Sequence, residues 1–225
     1  MWIDDEILRR CDEDLALHCW VPTDSMVVLG ASNAAEVEVD TPNCALDGVP
    51  VLKRYGGGGT VVLHPGCAVV SLGCWVKQPF QNKFYFELVN RALIAALGSG
   101  WPELNALGQS GLSDIVHGDL KVAGTSLFRS RNYLLYQASI LVDCQVDVID
   151  KYLKHPSREP EYRRGRSHSS FLTGLNEIVG GIISGPLCAE HLSQTLPQQL
   201  KQLLDAELVS TIPEQWSGLH RRAGL

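Results

Sequence analysis

The sequence predicts an α+β fold in which strands come first and helices gather around them, and three observations carry that reading. Short runs at 16–20, 26–29, 49–54, 60–63 and 68–76 are rich in β-branched, aromatic and apolar residues and precede any long helical pattern. Residues 82–97 then change period, with Phe84, Leu88, Ala92 and Ala96 spaced as one face of a helix that ends at Gly98. Two further β runs, 121–128 and 133–142, are joined by a polar turn at 130–132 and read as a hairpin. At the N-terminus, Asp4 or Asp5 is placed to cap a first helix with Ile7, Leu8, Cys11 and Leu15 on one side. From Val146 onward the pattern is helical, broken at Gly185-Pro186.

The chain has 225 residues and 45% hydrophobic content, enough to bury one full core, so a single domain over 1–225 is expected. A net charge of −6 argues against nucleic acid as the main partner. No apolar stretch reaches the length of a membrane span, and residues 1–10 carry acidic groups where a secretory leader has basic ones. A cytoplasmic location without membrane attachment is the expectation. The seven cysteines are odd in number and form no CxxC, which fits buried, reduced thiols rather than a zinc cluster or disulfide framework.

Residues 53–64 read KRYGGGGTVVLH, and four consecutive glycines between two β-type runs need a reason. Glycine weakens regular structure by about 0.5–1 kcal/mol relative to alanine. Gly56, Gly57, Gly58 and Gly59 are therefore expected to let the backbone approach a ligand, with Lys53 and Arg54 at the mouth to meet a carboxylate or phosphate. The competing reading is a Gly-rich hairpin with a solvated basic pair. No Lys-Ser/Thr follows the glycines, so this is not a P-loop, and it is not GxGxxG.

Residues 114–129 read DIVHGDLKVAGTSLFR, a short β run, a turn and a second β run carrying Lys121, Gly124 and Thr125. Together with VVLGASNAAEVEVD at 27–40 and GVPVLKRYGGGGTVVLHPG at 48–66, this segment resembles the catalytic domain shared by lipoate-protein ligases, octanoyltransferases and biotin ligases. The resemblance is closest to the lipoate ligase A branch. YLKHPSREPEYRRGRSHSSFLTGL at 152–175 resembles the helical stretch that follows the central sheet. The match covers about residues 5–175 and leaves 176–225 as a helical C-terminal extension. It implies mixed, mostly antiparallel β-sheets flanked by helices.

The resemblance also implies an activity. A carboxylic acid, lipoate or octanoate, is activated with ATP and Mg²⁺ to an acyl-adenylate and passed to a specific lysine of a lipoyl-acceptor domain. The acceptor would be a glycine cleavage H protein or the acyltransferase component of a 2-oxoacid dehydrogenase. Lys121 matches the lysine that contacts the acyl carbonyl and the phosphate, where an ammonium offsets charge growing on oxygen. The glycines, Thr60, His64, Gly124 and Thr125 fall in the binding motifs. Gly30, Ser32 and Asn33 fall where the acyl pocket is walled, with a plain turn as the competing reading of a loop of that composition. Tyr55 departs from the small residue expected before the glycines.

Octanoyltransferases of this superfamily use a cysteine thioester, but the loop at 108–113 reads GQSGLS and holds no cysteine. Cys67 and Cys144 are expected to be structural, so adenylation is favoured over thioester transfer, with a non-catalytic acyl-binding module as the further alternative. The chain lacks the GRGRxG signature of the biotin branch. The basic run of Lys151, Lys154, Arg158, Arg163, Arg164 and Arg166 reads equally as a solvated face or as a surface for an acidic acceptor or nucleotide phosphates. The residues after Leu175 are too few for a full accessory domain, which points to a separately encoded partner or to transfer of a preformed activated acyl group.

Overall fold

The computed structural model describes residues 3–10, 12–78 and 80–204. Nine strands among them form two sheets: β1 (Leu15–Trp20), β2 (Met26–Leu29), β3 (Val51–Lys53), β4 (Val61–Leu63), β5 (Cys67–Trp75), β6 (Gly108–Ser110), β7 (Asp114–His117), β8 (Leu120–Ser130) and β9 (Tyr133–Leu141). The larger sheet runs β1-β5-β9-β8-β7-β6 and is antiparallel throughout. The smaller sheet, β3-β2-β4, pairs β2 parallel to β3 and antiparallel to β4. The fold is α+β, mixed and mostly antiparallel, with helices around the sheets.

Strand β5 is buried along its whole length because both faces are covered. Its alternation is visible in what each residue touches: Val70, Leu72 and Cys74 join the main core, whereas Val69 and Trp75 pack on the opposite side toward the small sheet and the N-terminal segment. The main core is capped by two long helices. In α4 (Asn82–Gly100), Leu88, Ala92 and Ala96 are buried at helical spacing, and in α8 (Gly185–Leu204) Cys188, Leu192, Leu196 and Leu200 repeat every fourth residue. Gly185 and Pro186 begin α8, where proline's missing N–H has no helical partner to lose.

The remaining helices are short: α1 (Asp5–Leu8), α2 (Ala35–Glu38), α3 (Thr41–Asp47), α5 (Val146–Tyr152), α6 (His168–Phe171) and α7 (Leu175–Val179). Asp40 caps α3 by accepting from the Asn43 amide at 3.0 Å, and Gly48 ends it at φ +68°. Helices α2 and α3 are not legible from periodicity, being too short to show one.

Three sequence expectations change. The first helix closes at Leu8, Leu15 belongs to β1, and Cys11 lies outside the described residues. Asp4 makes no side-chain cap; it is fully buried and accepts hydrogen bonds from the Tyr55 amide and the Gln137 side chain, both at 2.6 Å. Between Leu153 and Ser167 the chain is largely irregular rather than helical, as Pro156, Pro160 and Gly165 dictate, with one 3₁₀ turn at Glu161–Arg163. The 205–225 part of the C-terminal extension lies outside the described residues.

Candidate active site

The glycine loop crosses the end of β2. Arg54 N–H donates to the Leu29 carbonyl and Ala31 N–H to the Gly56 carbonyl, both at 3.0 Å, so loop and strand end are bonded to each other. The Arg54 side chain turns underneath: Nη2 donates to the carbonyls of Gly57 at 2.8 Å and Gly59 at 2.7 Å. Burial pulls the guanidinium down to about 10, while the nearby Asp4 carboxylate acts in the opposite direction. Arg54 therefore holds the loop in shape, a different use from the anion contact expected of it, although it also lines the cavity described below.

The glycines divide into two kinds. Gly58 has φ +94°, and a Cβ on Gly30 would lie 2.2 Å from the Gly58 carbonyl oxygen. A Cβ on Gly56 would meet Ser126 Oγ at 2.7 Å. A Cβ on Gly57 or Gly59 would have nothing within 4 Å. The run thus serves internal close packing at Gly56 and Gly58 as well as open space at Gly57 and Gly59, so packing explains more of it than the sequence suggests.

The facing wall is built by β7 and β8. Lys121 Nζ lies 2.8 Å from Asp114 Oδ1, and the Tyr162 hydroxyl donates to the other carboxylate oxygen at 2.8 Å. A Cβ on Gly124 would sit 3.1 Å from Lys121 Nζ, so a side chain there would press on the ammonium. Thr125 donates to the Ser113 carbonyl through both its amide, at 2.9 Å, and its hydroxyl, at 2.6 Å. The Lys121 carbonyl accepts from the Thr173 amide at 2.9 Å, which ties β8 to the end of α6.

Between these walls lie a chamber of about 100 Å³ and a cleft of about 1210 Å³. They share Gly58, Gly59, Thr60, Asp114, Lys121 and Gly124. The chamber's apolar wall includes Ile3, Val28, Leu63 and Val69, with Thr125, Ser126 and Gln137 among its polar lining, whereas the cleft extends past Ser32, Asn33 and Glu38 to the irregular 153–167 segment. Asn33 Nδ2 donates to Thr60 Oγ1 at 3.0 Å across this junction. Glu38 accepts a hydrogen bond from Ser157, which fastens the irregular segment to α2.

Four predicted site residues are absent from the lining of both spaces: Lys53, Gly56, Gly57 and His64. Lys53 lies on β3 outside the lining of both spaces. His64 is completely buried; its Nδ1 accepts from the Gly66 amide at 3.1 Å, and burial lowers its pKa, so it belongs to the turn before β5. The basic run is partly taken up by ion pairs within the chain: Lys151 pairs with Asp47, Arg163 with Glu159, and Arg166 with Asp119, while Arg158 and Arg164 remain exposed on the cleft. Sequence reasoning missed Asp114, Tyr162 and His168. Asp114 was within reach of it, since a short antiparallel β7–β8 pairing sets it near Lys121.

No cysteine lines either space among the described residues. Burial pushes the Cys67 and Cys144 thiols up to about 12. Among the described residues no group of three or more His, Cys, Asp or Glu side chains is arranged to hold a metal, and no helix is long and apolar enough to cross a membrane.

Comparison with known proteins places this architecture. A lipoate-protein ligase A from Blochmanniella floridana is 21% identical over 213 residues, covering 92% of this chain and 60% of its own length. An inactive lipoate-protein ligase 2 from Plasmodium falciparum is 22% identical, covering 92% of this chain and 62% of its own length. The chain thus spans about 60% of the length of these relatives. A bi-partite lipoate protein ligase from Thermoplasma acidophilum, solved in a study with its E2 lipoyl domain, shares the fold at a TM-score of 0.71 and 22% identity, over 97% of this chain and 84% of that one. A lipoate-protein ligase A bound with ATP gives 0.69 at 21% identity, over 97% and 85%. Residues 1–200 match the model of the lipoyl protein ligase A/B catalytic domain, and the chain belongs to that family.

Proposed function

We propose that this chain is the catalytic part of a lipoate-protein ligase, activating lipoate or octanoate with ATP and passing the acyl group to a lysine of a lipoyl-acceptor domain. The observation that carries this reading is the Lys121 ammonium at the junction of an apolar chamber and a polar cleft, opposite the glycine loop. The chamber takes the apolar tail, and the acid's carboxylate reaches the junction. There the carboxylate oxygen attacks the nucleotide's α-phosphorus and pyrophosphate leaves. The acceptor amine then attacks the acyl carbon, the anhydride C–O bond breaks and AMP leaves. In both steps negative charge gathers on oxygen, where a fixed ammonium stabilises it. Mg²⁺ would come with the nucleotide, held by its phosphates and water.

Thioester transfer is disfavoured because the cavity lining holds no cysteine among the described residues and the Cys67 and Cys144 thiols are not activated. The exposed Arg158 and Arg164 on the cleft suit an acidic acceptor domain, a glycine cleavage H protein or an acyltransferase component. ATP–pyrophosphate exchange with lipoate, octanoate and biotin, followed by transfer to an acceptor domain with and without accessory protein, tests the whole reading. Lipoate-dependent exchange is expected; binding of the acid without exchange under any of these conditions would leave a non-catalytic module.

A further inference from the structure

The transfer step releases two protons from the acceptor nitrogen, one before the attack and one as the C–N bond forms, and the second needs an acceptor in the cleft. A lysine amine is an ammonium near neutral pH, with a reference pKa near 10.4, and must lose its proton to become a nucleophile. Among the acceptors of the cleft, Asp114, Glu38 and Glu159 are committed, and Glu161 is an exposed carboxylate on the 3₁₀ turn. Lys121 is a cation paired with Asp114, whose second oxygen accepts from Tyr162, and Glu38 accepts from Ser157. Glu159 accepts from the Gly165 amide and faces Arg163.

His168 is different. It opens α6, is 8% exposed and lines the cleft. Its Nδ1 lies 2.6 Å from Asp150 Oδ1 on α5, so the carboxylate holds the Nδ1–H tautomer and Nε2 carries the free lone pair. Nε2 has no protein partner among the described residues and is not sealed from solvent. One helical turn on, the Leu172 amide donates to the His168 carbonyl at 2.8 Å, and Leu172 forms a parallel bridge with Lys121. The histidine and the lysine thus share one rigid corner of one cleft.

We infer that His168 is the general base of acyl transfer, oriented by Asp150, an inference that rests on the ligase reading above. The acceptor ammonium first gives one proton to water; as the freed lone pair forms the C–N bond and the anhydride C–O bond breaks with loss of AMP, the second proton on nitrogen passes to His168 Nε2 and then to water. Burial lowers the His168 pKa, Asp150 raises it, and Arg163 and His155 lower it, with a net shift downward that favours the neutral ring able to accept a proton. The other charged or titratable groups around it are Tyr162 on the 3₁₀ turn, Arg166 beside Phe171 and Lys121 beside Leu172.

The test is single-turnover transfer from preformed lipoyl-adenylate to an acceptor domain, followed from pH 5 to 10. The wild-type rate should rise to a plateau as His168 loses its proton. His168→Asn retains a donor toward Asp150 but has no base, and should slow transfer by about 10²–10⁴-fold near neutral pH, with a rate that keeps climbing into the alkaline range. Asp150→Asn should shift the wild-type profile and lower its plateau. A folded His168→Asn enzyme with the wild-type rate and profile overturns the inference while leaving the ligase reading intact. A wild-type enzyme that transfers nothing from the preformed adenylate overturns both.

Discussion

Lys121 on β8 and Asp114 on β7 meet at 2.8 Å across adjacent antiparallel strands, in a position that opens onto both the apolar chamber and the cleft. The carboxylate, itself held by Tyr162, aims the ammonium. Lys121→Ala should lower pyrophosphate exchange and transfer by about 10²–10³-fold, on the scale of deleting one oxyanion donor. Asp114→Asn should cost less, since the cation survives without its fixed direction. Exchange rates compared with thermal midpoints check both; a folded Lys121→Ala enzyme with normal turnover sinks the role.

Close backbone approach predicts a contrast within the glycine loop. Gly30→Ala would force a methyl to 2.2 Å from the Gly58 carbonyl oxygen and should destabilise by about 1–3 kcal/mol, the usual cost of overpacking. Gly57→Ala meets nothing within 4 Å and should stay within about 0.5 kcal/mol of the parent. Urea midpoints of the two variants would reverse this order if the loop were shaped by something other than the Gly30–Gly58 contact.

Arg54 predicts a pH-dependent loss. Arg54→Met removes the donor to the carbonyls of Gly57 and Gly59; both glycines are exposed, so water can take the donor's place and each lost bond costs about 0.5–1.5 kcal/mol. The buried Asp4 also loses its neighbouring cation, so its carboxyl, already raised by burial, rises further in the folded state. A carboxyl whose folded pKa is raised destabilises the fold as pH climbs from its unfolded value through its folded one. The loss in Arg54→Met should therefore be greatest near neutral pH and shrink as pH falls toward the ordinary value of 3.8. Denaturant titrations at several pH values measure it, and a loss independent of pH would remove Asp4 from the account.

The cysteines should be silent. With pKa values near 12, Cys67 and Cys144 are ionised to only about one part in 10⁴ at pH 8. Cys67→Ser and Cys144→Ser, singly or together, should keep most ATP-dependent activity, and intact mass after incubation with an octanoyl-carrier substrate should show no thioester. An acyl adduct on either residue that an acceptor domain discharges would replace adenylation with thioester transfer.

Local pattern carried much of the architecture. The β-rich runs at 16–20 and 68–76, the helical period beginning at Asn82 and the hairpin around 130–132 are properties of neighbouring residues, so most of β1 and β5, and α4, β8 and β9, could be read from the chain alone. The order of the glycine and Lys121 motifs likewise sufficed for the family. What no local pattern contains is direction and burial. Arg54 sits beside Lys53 in sequence, yet one turns under the loop and the other stays on β3 outside the cavity, because the β2 pairing sets which way each faces. His64 reads as a motif residue and is sealed in the core, whereas His168 reads as one histidine in a basic run and opens on the cleft. Asp4 reads as a cap and becomes the buried anchor of Tyr55 and Gln137, residues 51 and 133 positions away. Such partners are distant along the chain, so only the folded backbone brings them within hydrogen-bonding distance, and their charge and exposure follow from that packing.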